Sequence, residues 1–320
     1  MGDFAMRLAA LCLAILLCAA PAAAQSGYHL IPGSLEPNRG PDGNSVFLDA
    51  PEGLILVDTG RHPAHRDRLL GHARARGRPI AALINTHWHL DHSTGNAEIR
   101  AAYPQAPLYA TEAIEGALTG FFPRSRAGAE QFLASGNATA EQRAEIERGF
   151  AAMDDPAALR ATHPVRVSGE IMIAGRRLRV NVAPFAATEA DLWIYDPASR
   201  LVIAGDLVVA PVPFMDTACP DGWRRALDAI ADTPFVTLVP GHGAPMDRAH
   251  FLSWRAAFNN LLDCAASDRA KSECVAGWRR DAAPFIPAGR EALIDAMAGY
   301  YIDTRLRAAP EERRLYCPPA

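Results

Sequence analysis

The stretch Asn85-Thr86-His87-Trp88-His89-Leu90-Asp91-His92 decides the interpretation of this chain, because it places three histidines and one aspartate within six positions. It directly follows the apolar run 81–84, which is typical of a buried strand that ends in a loop. The first two histidines, two residues apart, can face one side of that loop, whereas the aspartate and the last histidine can turn to the other. Imidazole nitrogens and a carboxylate at this density suit zinc, or another divalent metal such as iron or manganese.

The pattern His-x-His-x-Asp-His resembles the signature of the metallo-β-lactamase superfamily, in which the motif serves two adjacent metal sites. The resemblance assigns His87 and His89 to site one, and Asp91 and His92 to site two. It also implies the fold class, an α/β protein built as a four-layer αββα sandwich. Periodicity alone supports only a mixture of helices and strands.

Three further segments match the family in the expected order along the chain. Asp58-Thr59-Gly60 resembles an early turn whose aspartate supports the metal loop from beneath. Ala204-Gly205-Asp206 resembles the step whose carboxylate bridges the two metals, and Pro240-Gly241-His242-Gly243 resembles the last histidine ligand. Each segment alone is also an ordinary strand end or cap; their order favours the ligand interpretation.

One position departs from the family pattern. Where the family places Gly-His-Thr, residues 184–192 keep Thr188 and Asp191 but have Ala187 in place of the third site-one histidine. A methyl group cannot bind metal, so we expect an incomplete first site and one or two zinc ions per chain. Three residues are candidates for a replacement ligand, with solvated surface positions as the alternative: Glu189, His62 and His163.

The length of 320 residues, with 49 % hydrophobic and 21 % charged residues, is ordinary for a globular protein. Residues 1–24 predict a secretory signal peptide whose apolar run is too short to span a membrane. We therefore expect a periplasmic or secreted protein without a stable membrane anchor. Residues 25–246 are expected to form the metallo-β-lactamase-like domain, and 247–320 a helical C-terminal extension packed on it. A helical insertion is expected at about 111–162, as a packing subdomain or as a lid over the site.

Cysteine usage agrees with export, because four cysteines remain after residue 24: Cys219, Cys264, Cys274 and Cys317. An even number in an oxidising compartment predicts two disulfides, and four cysteines allow three pairings. We favour Cys264–Cys274, which closes a short local loop, together with Cys219–Cys317, which attaches the C-terminus.

The resemblance implies a metal-dependent hydrolase that acts on a small molecule. A bound metal lowers the pKa of water, and Asp91 is the residue expected to orient the nucleophile and transfer its proton. The family cleaves lactams, thioesters, lactones, phosphoesters and sulfate esters, and we expect the substrate to be an ester, thioester, lactone, lactam or phosphoester. Residues 108–117 and 184–214 also look similar to periplasmic metallohydrolases associated with quinoprotein dehydrogenase systems.

Two alternatives stay open. Ala187 motivates a degenerate metal-binding or ligand-binding protein without hydrolytic activity, and a single-iron redox enzyme is the other, although that branch uses the site-one histidines. The net charge of −4, without a basic run, gives no case for a nucleic-acid partner. Nothing in the sequence indicates an oligomeric state.

Overall fold

Two β-sheets pack face to face, and helices cover the outer face of each sheet, in a computed structural model that describes residues 27–36 and 39–317. This arrangement confirms the predicted αββα sandwich. The predicted signal peptide lies outside the described residues. Within them, no helix combines the length and the apolar character needed to cross a membrane.

The first sheet contains the N-terminal meander followed by parallel strands, and the second is antiparallel except at one edge. In spatial order the first sheet is β1 (Tyr28–Ile31), β2 (Ser45–Ala50), β3 (Gly53–Val57), β4 (Ile80–Ile84), β5 (Leu108–Ala110) and β6 (His163–Pro164). The second sheet comprises β7 (Gly169–Ile173), β8 (Arg176–Pro184), β9 (Ala190–Asp196), β10 (Leu201–Val209) and β11 (Thr237–His242), which lie side by side in this order.

Helices connect these strands in three groups. The first group follows the meander and the metal loop: α1 (Pro63–Arg76), α2 (Leu90–Ser93) and α3 (Asn96–Ala102). The second lies between β5 and β6: α4 (Ile114–Gly116), α5 (Phe122–Ala134), α6 (Ala140–Met153) and α7 (Pro156–Leu159), with a π-helical turn at Ala117–Phe121. The third contains α8 (Pro220–Ala231), α9 (Arg248–Ala265), α10 (Lys271–Asp281), α11 (Glu291–Tyr301) and α12 (Pro310–Arg313).

Alternation along the strands places apolar side chains on both faces of each sheet. In β2, Val46 and Leu48 enter the core between the two sheets, whereas Phe47 packs outward with Leu69 of α1. On the outer face of the second sheet, Val202 packs in one buried cluster that also contains Trp254 of α9. The C-terminal helices therefore share a core with the second sheet.

The last strand of the first sheet is short. His163 and Pro164 pair with Tyr109 and Ala110 of β5. Val165 also donates to the Ala110 carbonyl at 2.9 Å. The next residue, Arg166, forms an ion pair with Glu112 in solvent.

Both expected disulfides are present. Cys264–Cys274 joins α9 to the N-terminal part of α10, and Cys219–Cys317 attaches the C-terminal segment to the residue that precedes α8. The helical C-terminal region is therefore covalently attached to the sheet-bearing part of the chain.

A polar cluster anchors the second helical group to the meander. His62 Nδ1 lies 2.9 Å from Asp42 Oδ2, and its Nε2 lies 3.9 Å from Glu145 Oε2 on α6. Glu145 also accepts from the Gly40 amide at 2.7 Å and pairs with Arg61 at 3.3 Å. Burial opposes ionisation of Glu145, but the contact with His62, the Gly40 amide and the Arg61 charge outweigh it and lower its pKa to about 2.

We expect Glu145→Gln to lower stability by about 1–2 kcal/mol at neutral pH, because a charged acceptor of two hydrogen bonds, from the Gly40 amide and from Arg61, is lost. A folded-state pKa below the ordinary 4.5 contributes stability above pH 4.5 that is lost as pH falls toward about 2. The difference between variant and wild type should therefore shrink over that window. Calorimetric melting across acidic pH checks this, with Glu147→Gln on the exposed side of α6 as the control. A constant difference down to the acid limit would contradict the assigned role.

Candidate metal centre

The candidate site lies between the two sheets, where β4 and β11 end beside the middle of β10. The loop after β4 carries His87 and His89, and α2 begins with Leu90 and carries Asp91 and His92. Asp206 lies within β10 and His242 ends β11. The parallel pairs β3–β4 and β10–β11 bring these ends together, because parallel strands end on the same edge of a sheet.

A glycine permits the close approach of the two sheets at this point. Gly205 has φ 53°, and a Cβ there would lie 2.6 Å from the Thr86 side chain. The pairing of β10 with β11 shifts register on both sides of Gly205. The local irregularity directs the next residue, Asp206, into the site.

The predicted ligands form two adjoining groups that share Asp206. One group is Asp91, His92, Asp206 and His242, and the other is His87, His89 and Asp206. Asp206 Oδ1 lies 3.1 Å from His92 Nε2 and 3.5 Å from His242 Nε2, whereas Oδ2 lies 3.6 Å from His87 Nε2. The carboxylate thus presents one oxygen to each group, as the bridging assignment requires.

These residues fit a divalent metal. His87 Nε2 and both Asp206 oxygens are buried and have no hydrogen-bond partner among the described residues. His92 Nε2 and His242 Nε2 lie 3.2 Å apart, so two imidazole edges converge on one point. Buried polar atoms without partners are costly. A cation that accepts their lone pairs removes that cost, and nitrogen with carboxylate oxygen is a donor set that suits zinc.

The predicted support from Asp58 is made by three hydrogen bonds. The Thr86 amide and hydroxyl each donate to Asp58 at 2.8 Å, and His92 Nδ1 lies 2.8 Å from Asp58 Oδ2. Because the Thr86 hydroxyl has donated its only proton, the contact of 3.0 Å with His87 Nδ1 must be donated by the imidazole. His87 therefore keeps its free lone pair on Nε2, which faces Asp206.

A second hydroxyl orients His89 in the same way. Thr217 Oγ1 donates to the Ala187 carbonyl at 2.8 Å and lies 3.0 Å from His89 Nε2. The hydroxyl has no second proton to donate, so His89 Nε2–H must be the donor. The lone pair of His89 is thereby fixed on Nδ1. Ala187 and Thr217 are fully buried. The main-chain carbonyl of Ala187 thus contributes to the site by holding the Thr217 hydroxyl.

Burial and charge favour the metal-binding forms of most of these side chains. His92 is the exception: burial opposes its protonation, but the carboxylates of Asp206 and Asp58 outweigh it and raise its pKa well above the usual value. Burial lowers the pKa of His87 well below its usual value and also lowers the pKa of His89, which keeps both rings neutral. Burial opposes ionisation of Asp91 and Asp206, but the nearby His92 and His242 outweigh it and hold both pKa values low. Neutral imidazoles and ionised carboxylates are the forms that bind metal.

The proposed replacement ligands lie outside both groups. Glu189 Oε2 accepts from Trp88 Nε1 at 2.9 Å, so its side chain faces the indole. His62 contacts Asp42 and Glu145, and His163 lies at the surface against Tyr109 with ring centroids 5.0 Å apart. None of the three replaces the missing histidine in this arrangement.

The groups adjoin a cavity of about 680 Å³ that includes His89 and Asp91 in its lining. Helices of the second group and α11 form much of its wall, through residues such as Phe121, Phe150 and Met297. Tyr301 also lines it and donates to Asp216 Oδ2 at 3.0 Å. A volume in the range of about 300–1,000 Å³ is typical of a small-molecule site.

Sequence reasoning missed Thr217 and Tyr301. Thr217 lies in an irregular segment between β10 and α8, where no periodicity marks a functional residue. Its only sequence signal is the run of apolar and small residues before Cys219. Tyr301 ends a helix almost a hundred residues beyond Asp206, and only the packing of α11 brings it to the cavity.

An αββα sandwich with two adjoining histidine and aspartate groups defines the class of metal-dependent hydrolases with this fold. The metallo-beta-lactamase superfamily model matches residues 39–242, and the chain belongs to that family. A curated relative, the linear primary-alkylsulfatase of a Pseudomonas species, is 27 % identical over 222 residues. That match covers 62 % of this chain and 41 % of the relative, so the chain spans less than half of the relative's length.

Solved structures show the same fold. A metallo-beta-lactamase family protein from Thermus thermophilus is 20 % identical, with a TM-score of 0.58 over 88 % of this chain and 95 % of that one. The metallo-beta-lactamase from Pontibacter korlensis is 17 % identical, with a TM-score of 0.51 over 74 % and 96 %. The FIM-1 enzyme from Pseudomonas aeruginosa, in its mono-zinc form, is 17 % identical, with a TM-score of 0.52 over 74 % and 93 %.

We expect Thr217→Val to weaken metal binding by about 10- to 100-fold, because His89 loses the acceptor that fixes its lone pair on Nδ1. Thr217→Ser keeps the hydroxyl and should restore most of the affinity. Competition with a chromophoric chelator measures this, and the cobalt absorption spectrum reports the altered ligand field.

Thr304→Val is the matched control, since the Thr304 hydroxyl also donates to a main-chain carbonyl, that of Tyr300, at 2.8 Å. Unchanged metal affinity in Thr217→Val, or equal losses in Thr217→Val and Thr217→Ser, would remove Thr217 from the site.

Proposed function

We propose that this chain is an exported, zinc-dependent hydrolase that attacks an ester-type bond of a small molecule with water. The observation that carries this proposal is the convergence of two groups of buried donors, joined by Asp206, beside a cavity of about 680 Å³. When bound, zinc would make water acidic enough to supply hydroxide near neutral pH. The residues that would hold it are those of the two groups, with Asp206 shared between them.

Asp91 is the residue best placed to handle the proton. Its side chain is 8 % exposed and lines the cavity, whereas that of Asp206 is 1 % exposed and faces the histidines. Asp91 Oδ2 lies 3.1 Å from His242 Nε2, which fixes the carboxylate beside the second group. A water in the cavity can therefore donate to Asp91, and the leaving oxygen can later receive that proton.

The class of bond is proposed from the family and its relative. Members cleave lactams, lactones, thioesters, phosphoesters and sulfate esters, and the curated relative is a linear primary-alkylsulfatase. An ester with a carboxylic or sulfate head is the substrate type that we favour. Export is supported by the predicted signal peptide at residues 1–24 and by two disulfides, which form in oxidising compartments.

We expect Asp91→Asn to lower kcat by at least about a hundredfold, since an amide cannot accept the proton. Asp91 is also a proposed ligand, so zinc content must be measured on the same sample. Glu189→Gln is the control, because it changes a neighbouring acid whose carboxylate accepts only from Trp88 among the described hydrogen bonds. Wild-type turnover by Asp91→Asn would exclude the assigned role.

We expect zinc to bind in two steps of different affinity. The group with Asp91, His92 and His242 offers four protein ligands, whereas the group with His87 and His89 offers three. His87→Ala should therefore abolish the weaker step and leave the tighter one, and His92→Ala should abolish the tighter one. Calorimetric titration of the metal-free protein, with elemental analysis, distinguishes the steps.

Loss of the tight step in His87→Ala would reverse the assignment of the two sites. Tight binding of both metals without hydrolysis of any ester would instead favour the degenerate, non-hydrolytic relative that Ala187 suggests.

A further inference from the structure

The wall of the cavity beside the metal groups is largely apolar. Half-buried side chains reach it from the second helical group, from the loop after β10 and from α11. Representative residues are Phe121, Ile146, Phe150, Phe214 and Met297. The Phe214 ring lies 5.0 Å from the His242 ring, and the Phe121 ring lies 6.4 Å from the His89 ring. The apolar wall therefore begins directly beside the proposed ligands.

Three of the charged side chains that line the cavity have polar partners nearby, and Glu36 and Arg39 line it as well. Arg61 pairs with Glu145 at 3.3 Å, and Asp216 accepts from the Tyr301 hydroxyl at 3.0 Å. Water against so much apolar surface is unfavourable, and an apolar ligand that displaces it gains free energy in proportion to the area covered. The polar end of such a ligand would meet His89 and Asp91, which border the same space.

Gly149 leaves part of this space open. It lies on α6 within the wall, and a Cβ at this position would approach only Leu90 Cδ1, at 4.0 Å. Any larger side chain would project into the cavity beside Leu90. A glycine in a helix interior is destabilising relative to alanine, so its presence at the wall favours a role in making room.

We infer that the substrate is an amphiphile, an ester whose hydrolysable head lies at the metal groups and whose long apolar chain lies between α5, α6 and α11. This inference rests on the proposed hydrolase function and specifies its substrate class. One water is consumed in the reaction. Its oxygen bonds to the acyl carbon of a carboxylic ester, or to the sulfur or the ester carbon of an alkyl sulfate. One ester single bond breaks, the proton passes to the leaving oxygen, and the products are an alcohol and an acid.

Two substrate series test the inference on the zinc-loaded protein. One runs from p-nitrophenyl acetate through butyrate and octanoate to decanoate, and the other from butyl through octyl to dodecyl sulfate, all below micelle formation. We expect kcat/KM to rise by up to about fourfold per methylene, the equivalent of about 0.8 kcal/mol, before it levels off. The series that is hydrolysed identifies the head group. A flat or falling dependence on chain length, with short esters hydrolysed, overturns the inference and leaves the hydrolase proposal intact.

Gly149→Leu supplies the decisive variant, with Gly128→Leu as its matched control. Gly128 lies on α5, outside the cavity lining, and a Cβ there would have nothing within 4 Å, so both changes replace a helical glycine by leucine. We expect the ratio of kcat/KM for octanoate to that for acetate to fall by about tenfold or more in Gly149→Leu. The leucine side chain would exclude about two methylene groups of the acyl chain from the cavity. The ratio in Gly128→Leu should equal that of wild type. Equal ratios in all three proteins would mean that the acyl chain of the substrate does not lie beside Gly149, which contradicts the inference.

Binding of 1-decanol and 1-hexanol, measured by calorimetry, tests the chain-binding wall without any turnover. Wild type should bind decanol more tightly than hexanol, and Gly149→Leu should lose that preference. If no ester is hydrolysed but this preference is found, the hydrolase proposal fails and the apolar site stands. If the preference is absent, the inference fails whatever the activity.

Discussion

The carboxylate of Asp58 is the contact on which the metal centre depends. Asp58 has φ 60°, a left-handed backbone conformation that is strained for residues other than glycine. In that conformation it accepts from the Thr86 amide and hydroxyl and from His92 Nδ1. One buried acid therefore orients a ligand of each group, His92 directly and His87 through Thr86. The backbone strain is offset by three hydrogen bonds to an ionised acceptor, which are stronger than neutral ones.

Ala187 stands where the family pattern places a histidine, and the two groups of possible donors differ in size. The group around His92 and His242 keeps four protein donors, whereas the group around His87 and His89 has three. Three protein ligands with one open position are typical of catalytic zinc sites, and four are typical of structural ones. The carbonyl of Ala187 still acts on the weaker group, because it holds the Thr217 hydroxyl that orients His89. The main chain at position 187 therefore helps to orient His89.

The site residues that follow buried strands could be predicted from the sequence, because neighbouring parallel strands end at the same edge of a sheet. Asp58, Asp206 and His242 all follow or end apolar runs, and the structure brings the last two to the motif at residues 87–92. Glu189 was chosen as a replacement ligand by its distance along the chain from Ala187. Its side chain instead faces Trp88, because tertiary packing decides the direction of a loop residue. The cavity wall had no sequence signal, since its parts lie on helices as distant as α5 and α11, and half-buried apolar faces look the same in sequence as faces that pack in a core.

The wall and the metal centre are connected through one short segment of the meander. Glu145, on the helix that carries Gly149, accepts from the Gly40 amide, and the Gly43 amide donates to the Asp91 carbonyl at 2.9 Å. Between these contacts, Asp42 binds His62. A short series of hydrogen bonds therefore links α6 to the main chain of the proposed proton acceptor through residues 40–43. Because packed interiors yield little to pressure, the position of α6 constrains the segment that contacts Asp91.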